Sequence, residues 1–192
     1  MGGAAELIGS ARPAPEPTVS TRVGIVALGD VHRKILDAAA SGVRATFGFS
    51  TAIAPALASP KYALNPSRNQ HHAASILRKL WQGQTVRGRD LLLAIGNQDL
   101  FEPEADFIFG DGDRDFRSAV ISLVRLRVAD EGRLLRRVSA LSAWAVGLSL
   151  GLRSCDDTRC AMAGIRSADE LEHRHPALCS PCQLLQAAGG KI

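Results

Sequence analysis

Four cysteines near the C terminus constrain this chain more than any other feature of its sequence. They occur as Cys155-x4-Cys160 and Cys179-x2-Cys182, so two short segments each carry two sulfurs. Pairs of thiolates at such spacings are typical of tetrahedral zinc sites, and four sulfurs leave no open position for water. The spacing therefore predicts one structural zinc ion that holds the C-terminal segment together.

Two alternatives use the same cysteines, either as two disulfides or with Cys179-Ser180-Pro181-Cys182 as a redox CxxC. The start of the chain lacks a basic segment followed by a long apolar one, so we expect no secretory signal and a cytoplasmic protein. A thioredoxin-type CxxC follows a strand near the start of a βαβ unit, whereas this one lies near the chain end. Zinc is the preferred interpretation, with His173 and His175 as surface histidines.

The composition narrows the classes of partner. The longest nearly uncharged apolar run, residues 138–152, is shorter than the roughly 20 residues that cross a bilayer, so we expect no membrane contact. The net charge of +4 comes from arginines scattered along the chain, and 5% aromatic residues are too few for a platform on which bases stack. Nucleic acid is therefore not an expected partner.

The hydrophobic pattern predicts an α/β (α+β) chain after a flexible leader over residues 1–20, which is rich in Ala, Gly and Pro. We expect one domain over residues 21–192, with the sheet and a central helix in 21–152 and a zinc-held subdomain in 153–192. Strand-like segments are predicted at 22–28, 50–57, 90–96, 106–110 and 118–127. Helices are predicted at 32–45, at 69–81, from 131 to a stop at Gly151, and after a capping box formed by Ser167 and Glu170.

Several longer motifs between residues 23 and 186 point to one protein family. They are NPSRNQ (65–70), IGNQDLFEP (95–103), FIFGDGDRDFRSAVISLVRLR (107–127), RLLRR (133–137), and GLRSCDDTRCAM (151–162) followed by CSPC. Together they resemble the archaemetzincins, a family of zinc metallopeptidases with the metzincin fold. The resemblance implies a mixed β-sheet with flanking helices, a long central helix and a zinc-held C-terminal subdomain.

The catalytic part of the family pattern is missing from this chain. The family signature is HExxHxxGxxHCxxxxCxM followed by CxxC, and Gly151, Cys155, Cys160 and Met162 fix its register here. The three histidines and the glutamate of that signature then fall on Trp144, Ala145, Leu148 and Ser154.

These four replacements remove the chemistry of a zinc peptidase. Histidines at i and i+4 share one helix face and hold the metal, while the glutamate takes a proton from zinc-bound water. Trp144 and Leu148 have no lone pair for zinc, and Ala145 cannot move a proton. We therefore expect a pseudopeptidase that binds zinc at its cysteines and hydrolyses nothing.

Other parts of the family pattern remain. Met162 matches the Met-turn, which in the family lies beneath the catalytic metal. Phe107, Ile108, Phe109 and Gly110 resemble the edge strand along which peptide substrates lie, and an ordinary sheet strand is the alternative interpretation. We expect the remnant cleft to bind a peptide or a partner protein.

Two other functions stay open on the sequence. An active peptidase with relocated ligands would need His32, His71 or His72 to reach a second zinc. A nucleic-acid-binding zinc module would use the arginines around the cysteines, which are Arg153, Arg159, Arg166 and Arg174.

Overall fold

The structure is a computed structural model that describes residues 21–83 and 88–189, so the predicted leader over residues 1–20 lies outside the described residues. Its main sheet has five strands in the order β2-β1-β5-β8-β7. The strands are β1 (Arg22–Leu28), β2 (Ser50–Ile53), β5 (Leu91–Gly96), β7 (Gly110–Asp113) and β8 (Ser118–Ser122). All neighbours are parallel except β7, which runs antiparallel to β8 at one edge.

A smaller sheet and four helices complete the fold. The smaller sheet has three strands in the order β3-β4-β6, which are β3 (Leu64–Asn65), β4 (Gln70–His72) and β6 (Leu100–Phe101). The helices are α1 (Arg33–Phe47), α2 (Ala73–Gln82), α3 (Glu131–Ser149) and α4 (Ser180–Ala187), and short 3-10 helices cover Lys61–Ala63, Val124–Leu126 and Asp169–His173. None of the helices in the described ranges is long and apolar enough to cross a membrane.

Alternate residues of the central strands feed two separate cores. Ile25, Leu93 and Ile121 join the core beneath α1 and α3, whereas Val26 and Leu92 join the core beneath α2. Side chains alternate between the faces of a strand, so a parallel sheet covered on both faces needs near-continuous apolar strands. The runs RVGIVAL and DLLLAIG meet that need, and the strands predicted there are confirmed within a residue of each end.

The long helix α3 is confirmed from Glu131, as its apolar spacing predicts. Asp130 caps its start by accepting a hydrogen bond from the Arg133 N–H at 2.6 Å. Gly151 follows its end with a φ of +87°, a left-handed conformation that glycine adopts without strain. The helix therefore lies where the family resemblance places the catalytic helix.

Several elements differ from the predictions, and the strand predicted at 50–57 ends at Ile53. The helix predicted at 69–81 begins at Ala73, because Gln70–His72 forms β4 instead. The fifth strand ends at Ser122 and gives way to the 3-10 helix Val124–Leu126. The capping box predicted from Ser167 does not form, since Glu170 accepts a hydrogen bond from the Arg166 N–H and the helix that follows is only a 3-10 helix.

The predicted edge strand over residues 106–110 is wrong in position. Ile108 makes only an isolated antiparallel bridge to Leu100, and the strand itself begins at Gly110 and ends at Asp113. The apolar letters of DFIFG favoured the earlier start. The strand has the sequence GDGD instead. Its residue Gly112 lies so close to α3 that a Cβ atom would be 2.3 Å from the Ala145 carbonyl oxygen, so this position requires a residue without a side chain.

Candidate metal centre

The four cysteines reach one point from two chain segments. Cys155 and Cys160 lie in the loop after α3, where the Cys155 N–H donates to the Met162 carbonyl at 2.8 Å and closes the turn. Cys179 is the N-cap residue of α4, and Cys182 lies in the first turn of that helix. Helix α4 was not predicted from the sequence, because its eight residues are too few to show a helical pattern.

The sulfur positions fit a tetrahedral zinc ion. The four Sγ atoms lie within 4.8 Å of one another, and those of Cys155 and Cys179 are 3.6 Å apart. Zinc–sulfur bonds of about 2.3 Å in a tetrahedron place the sulfurs about 3.8 Å from each other. A disulfide would require about 2.05 Å, and all four cysteines are free thiols.

The surroundings of the sulfurs favour a thiolate at Cys179 and oppose one at Cys155 and Cys182. The Cys160 Sγ accepts hydrogen bonds from the Met162 and Cys179 N–H groups, each at 3.4 Å. A backbone hydrogen bond from Cys182 lowers the pKa of Cys179, whereas burial raises the pKa of both Cys155 and Cys182. A divalent cation reverses such unfavourable shifts by binding the thiolates directly.

The positions predicted to correspond to the family's catalytic residues form part of an apolar contact surface. Trp144 and Leu148 are half-buried and pack against the core cluster that contains Met162, while Ala145 is fully buried. The Trp144 indole N–H is buried with no hydrogen-bond partner among the described residues, and as a donor only it cannot bind a cation. Ser154 is exposed beside Cys155.

Met162 occupies the Met-turn position and supports α3 from below. It is fully buried, and a Cβ atom added to Gly147 would lie 2.2 Å from the Met162 Sδ. The thioether therefore packs directly on the helix backbone at Gly147, next to Leu148 and about one turn from Trp144. This packing needs no metal.

Two of the histidines considered as ligands of a relocated zinc site make local contacts instead. His32 caps α1, with its Nδ1 accepting the Lys34 N–H at 3.2 Å, and His72 contacts the Ser75 hydroxyl at 3.0 Å and Glu102 at 3.4 Å. Within residues 21–83 and 88–189, the four cysteines are the only group of three or more His, Cys, Asp or Glu residues close enough to share a metal ion. His71 lies in β4 and joins no such group.

Among the described strands, only β8 pairs with β7, so the outer edge of β7 has no strand beside it; this edge lies close to α3. Ser122 donates to the Phe109 carbonyl, so with the observed register the N–H and C=O groups of Gly110 and Gly112 point away from β8. The outward Gly112 N–H donates to the Asp111 Oδ1 at 2.8 Å. Burial raises the pKa of Asp111 to about 6.

Of the predicted edge residues, Gly110 is the first residue of β7, and Phe107, Ile108 and Phe109 lie just before it in a segment that a polar network fixes. The Phe107 and Phe109 rings meet edge to face at 5.5 Å, and the Arg125 guanidinium lies 3.8 Å from the centre of the Phe107 ring. Arg125 also makes two hydrogen bonds of 2.8 Å to Asp99, which in turn accepts from Gln70. The sequence motifs NPSRNQ and IGNQDLFEP supply these last two residues, so their role is to hold the segment before the edge strand.

A buried cluster of charges joins α3 to the C-terminal segment. Arg137 is 5% exposed, and its guanidinium pairs with Glu172 and Asp169. Arg133 donates to the other Glu172 oxygen at 2.8 Å. Hydrogen bonds from the two arginines lower the pKa of Glu172 to about 2, so this carboxylate is ionised at neutral pH. Both arginines belong to the motif RLLRR. From the sequence, this motif indicated only the resemblance to the archaemetzincins and not an ion pair.

Comparison with known proteins agrees with this geometry. No protein-family model matches the chain. The archaemetzincin of Methanocaldococcus jannaschii is 30% identical over 167 residues, which are 84% of this chain and 90% of that protein. The archaemetzincin of Methanopyrus kandleri is 32% identical over 132 residues, or 66% and 72% of the two chains.

The crystal structure of the Methanopyrus kandleri archaemetzincin is also similar to this fold. It has a TM-score of 0.76 and 26% identity, over 92% of this chain and 98% of that one. The mixed sheet with an antiparallel edge strand, the long helix and the cysteine cluster define a metallopeptidase-like, zinc-binding α/β protein. The chain belongs to the archaemetzincin family.

Proposed function

We propose that this protein is an archaemetzincin without peptidase activity that keeps one structural zinc ion. The observation that carries the proposal is the apolar character of the catalytic helix at Trp144, Ala145 and Leu148, within a fold that otherwise matches the family. A zinc peptidase needs three protein ligands and a general base around an open position. These side chains supply neither.

The zinc of this proposal binds Cys155, Cys160, Cys179 and Cys182 and stabilises the C-terminal segment. That segment has one short α-helix and one 3-10 helix, and only a small core cluster packs beneath it. Four thiolates close the coordination sphere, so the ion has no position left for water or substrate. Its contribution is to folding, because the apolar surface of the segment is small.

The surface beside β7 is the proposed binding site for an extended peptide or a segment of a partner protein. Gly110 and the Gly112 carbonyl direct backbone groups to the outer edge of β7, and such groups can pair with an added strand, whereas the Gly112 N–H is already bonded to Asp111. Trp144 and Leu148, both partly exposed, offer apolar contacts on α3. Binding there requires no chemistry at the helix.

The first experiment measures zinc per chain in protein purified without chelators, together with free thiols before and after metal removal. We expect about one zinc and no reactive thiol until the metal is removed. A Cys160→Ser and Cys182→Ser double variant should lose this zinc. Two zinc ions in the wild-type chain, or peptide hydrolysis that added chelator abolishes, would contradict the loss of catalysis.

A restoration experiment tests the assignment of the catalytic positions. The combined substitutions Trp144→His, Ala145→Glu, Leu148→His and Ser154→His should create a second zinc site on α3. The matched control keeps Ala145 and replaces only the other three, so it should bind the second zinc without gaining hydrolysis. If the folded four-residue variant takes up no additional zinc, the assignment of these positions is wrong.

A further inference from the structure

Arg174 is tied to the loop that carries the first two cysteines. It follows the 3-10 helix Asp169–His173, and its Nη2 donates to the Gly164 carbonyl at 2.6 Å. The Gly164 N–H in turn donates to the Cys155 carbonyl at 3.4 Å. The guanidinium therefore lies against the turn that positions the sulfurs, and it lines the same cavity as Cys155.

The positive charge of Arg174 has no carboxylate in direct contact among the described residues. Glu170, whose charge acts on Arg174, pairs with Arg166 at 3.5 Å and accepts the Arg166 N–H at 3.0 Å. The Arg174 Nη1 is buried and, within the described ranges, has no hydrogen-bond partner. A half-buried cation in this state loses hydration without a compensating contact.

The other arginines around the cysteines differ from Arg174. Arg159 and Arg166 are 80% and 85% exposed in their side chains, and each lies within 4.0 Å of an acidic residue in its own segment. Arg153 is also exposed. Of these arginines only Arg174 is partly buried: burial lowers the pKa of its guanidinium, and the negative charges of Glu170 and of a Cys160 thiolate oppose that effect.

The thiolate centre supplies the opposite charge. Four thiolates and one Zn²⁺ carry a net charge of −2, and the Cys160 side of the centre is buried, with 2% of that residue exposed. The Cys160 Sγ already accepts two backbone N–H groups, which lower its charge density but do not neutralise it. A nearby cation stabilises a charge of this size in a partly buried site.

We propose that Arg174 is the counter-cation of the zinc–thiolate centre and slows the release of zinc. This inference rests on the zinc site proposed above and adds a positioning residue to it. The guanidinium reduces the net charge of the centre from −2 to −1 and fixes the Gly164 turn beside Cys155. Partners that surround a metal's ligands in this way tune its affinity without touching the ion.

The test compares zinc transfer from the full chain to the chromogenic chelator 4-(2-pyridylazo)resorcinol. Arg174→Gln should release zinc about 10- to 100-fold faster than the wild-type chain, the range typical of lost outer-shell contacts. Arg153→Gln, which removes an exposed arginine close by, should release zinc at the wild-type rate. Arg174→Lys retains the charge on a flexible stem and should recover most of the difference.

A second readout separates charge from a purely structural role. Loss of the counter-cation favours protonation of the thiolates, so the pH at which half of the zinc is released should rise in Arg174→Gln and return towards wild type in Arg174→Lys. Equal release rates and pH midpoints in wild type and Arg174→Gln would overturn the inference, as would failure of Arg174→Lys to recover either value. A wild-type chain that binds no zinc at its cysteines would instead overturn the proposed function.

Discussion

Asp111 shows how a single side chain couples the β7 edge to pH. Its carboxylate is largely buried, accepts the outward Gly112 N–H, and lies within the electrostatic range of Glu102 and Asp113. Burial is the main cause of the raised pKa, about 6 in the folded chain. The ionised form is therefore disfavoured by folding, and the edge strand carries this cost at neutral pH.

Asp111→Asn should stabilise the protein at neutral pH. Because the folded pKa lies above the ordinary value of 3.8, stability from Asp111 is fully present below about pH 4 and is lost as pH rises through about 6. The variant should gain roughly 1–3 kcal/mol in free energy of unfolding at pH 7.5, and almost nothing at pH 4, because asparagine retains the acceptor for Gly112. Urea unfolding at the two pH values measures the difference.

The exposed neighbour Asp115 supplies the control for this experiment. Asp115→Asn removes a charge from the turn between β7 and β8, where the carboxylate is not buried, so its effect should be small at both pH values. A gain for Asp111→Asn that is equal at pH 4 and pH 7.5 would contradict the ionisation argument.

Residues could be assigned from the sequence where chemistry fixes their spacing. The four cysteines meet because zinc requires four sulfurs at a short mutual distance, and the register of Gly151 and Met162 placed Trp144 and Leu148 on the helix. The Arg137–Glu172 pair was not predicted. Its partners are far apart in sequence, and no spacing rule links two charged residues that meet only in the folded chain.

Elements were predictable where burial dictates a pattern. Strands β1 and β5 lie in the middle of the sheet, so both faces must be apolar and the sequence shows it. The edge strand β7 has the sequence GDGD, which strand propensity disfavours. Its position follows from contact with α3, a tertiary constraint that no local pattern records.

Gly112→Ala should loosen the contact between β7 and α3. A Cβ at this position would lie 2.3 Å from the Ala145 carbonyl oxygen and 2.7 Å from the Ser149 nitrogen, so backbone atoms must move apart. We expect a loss of about 1–3 kcal/mol in the free energy of unfolding, measured by urea denaturation. Gly164→Ala is the matched control, since a Cβ there meets no atom within 4 Å, and an equal loss in the two variants would contradict this packing argument.

Glu172→Gln should weaken the junction between α3 and the C-terminal segment. Glu172 has a pKa of about 2, below the ordinary 4.5, so its stabilising effect is present above about pH 4.5 and is lost as pH falls through about 2. The variant should unfold at lower urea concentration at pH 7, with Arg137 left buried beside a neutral amide. Asp169→Asn, at a side chain that is 72% exposed, should have a smaller effect, and the reverse order would contradict the assigned geometry.

At the scale of the whole molecule, the two parts of the chain are stabilised differently. Apolar packing stabilises the sheet and its helices, and the proposed zinc ion stabilises the C-terminal segment. Residues of β1, β5 and β8 fill two apolar cores with α1, α2 and α3. The C-terminal segment has only a small cluster in which Cys160 and Cys182 are themselves core members. The fold class was predictable from the sequence, whereas the division at the cysteines stays a prediction, which rests on the end of the long apolar runs.

Removal of zinc should therefore unfold one part of the molecule and leave the other intact. On incubation with a strong chelator, hydrogen exchange should become fast over residues 153–189 and stay slow in β1, β5 and β8. Limited proteolysis should cut after Arg159 or Arg166 only in the metal-free protein. Slow exchange throughout the metal-free chain, or loss of protection in both parts together, would contradict this division.

The adjacency of Ser154 and Cys155 has a consequence for how such a chain changes through mutation. One residue belongs to the positions that bind the catalytic metal in the family, and the next belongs to the cluster proposed to stabilise the fold. We expect substitutions in the first set to leave the second intact, so the C-terminal segment should keep its proposed zinc in a chain that has lost the catalytic metal. The same separation should allow a peptidase site to be rebuilt on this chain without disturbing the four cysteines.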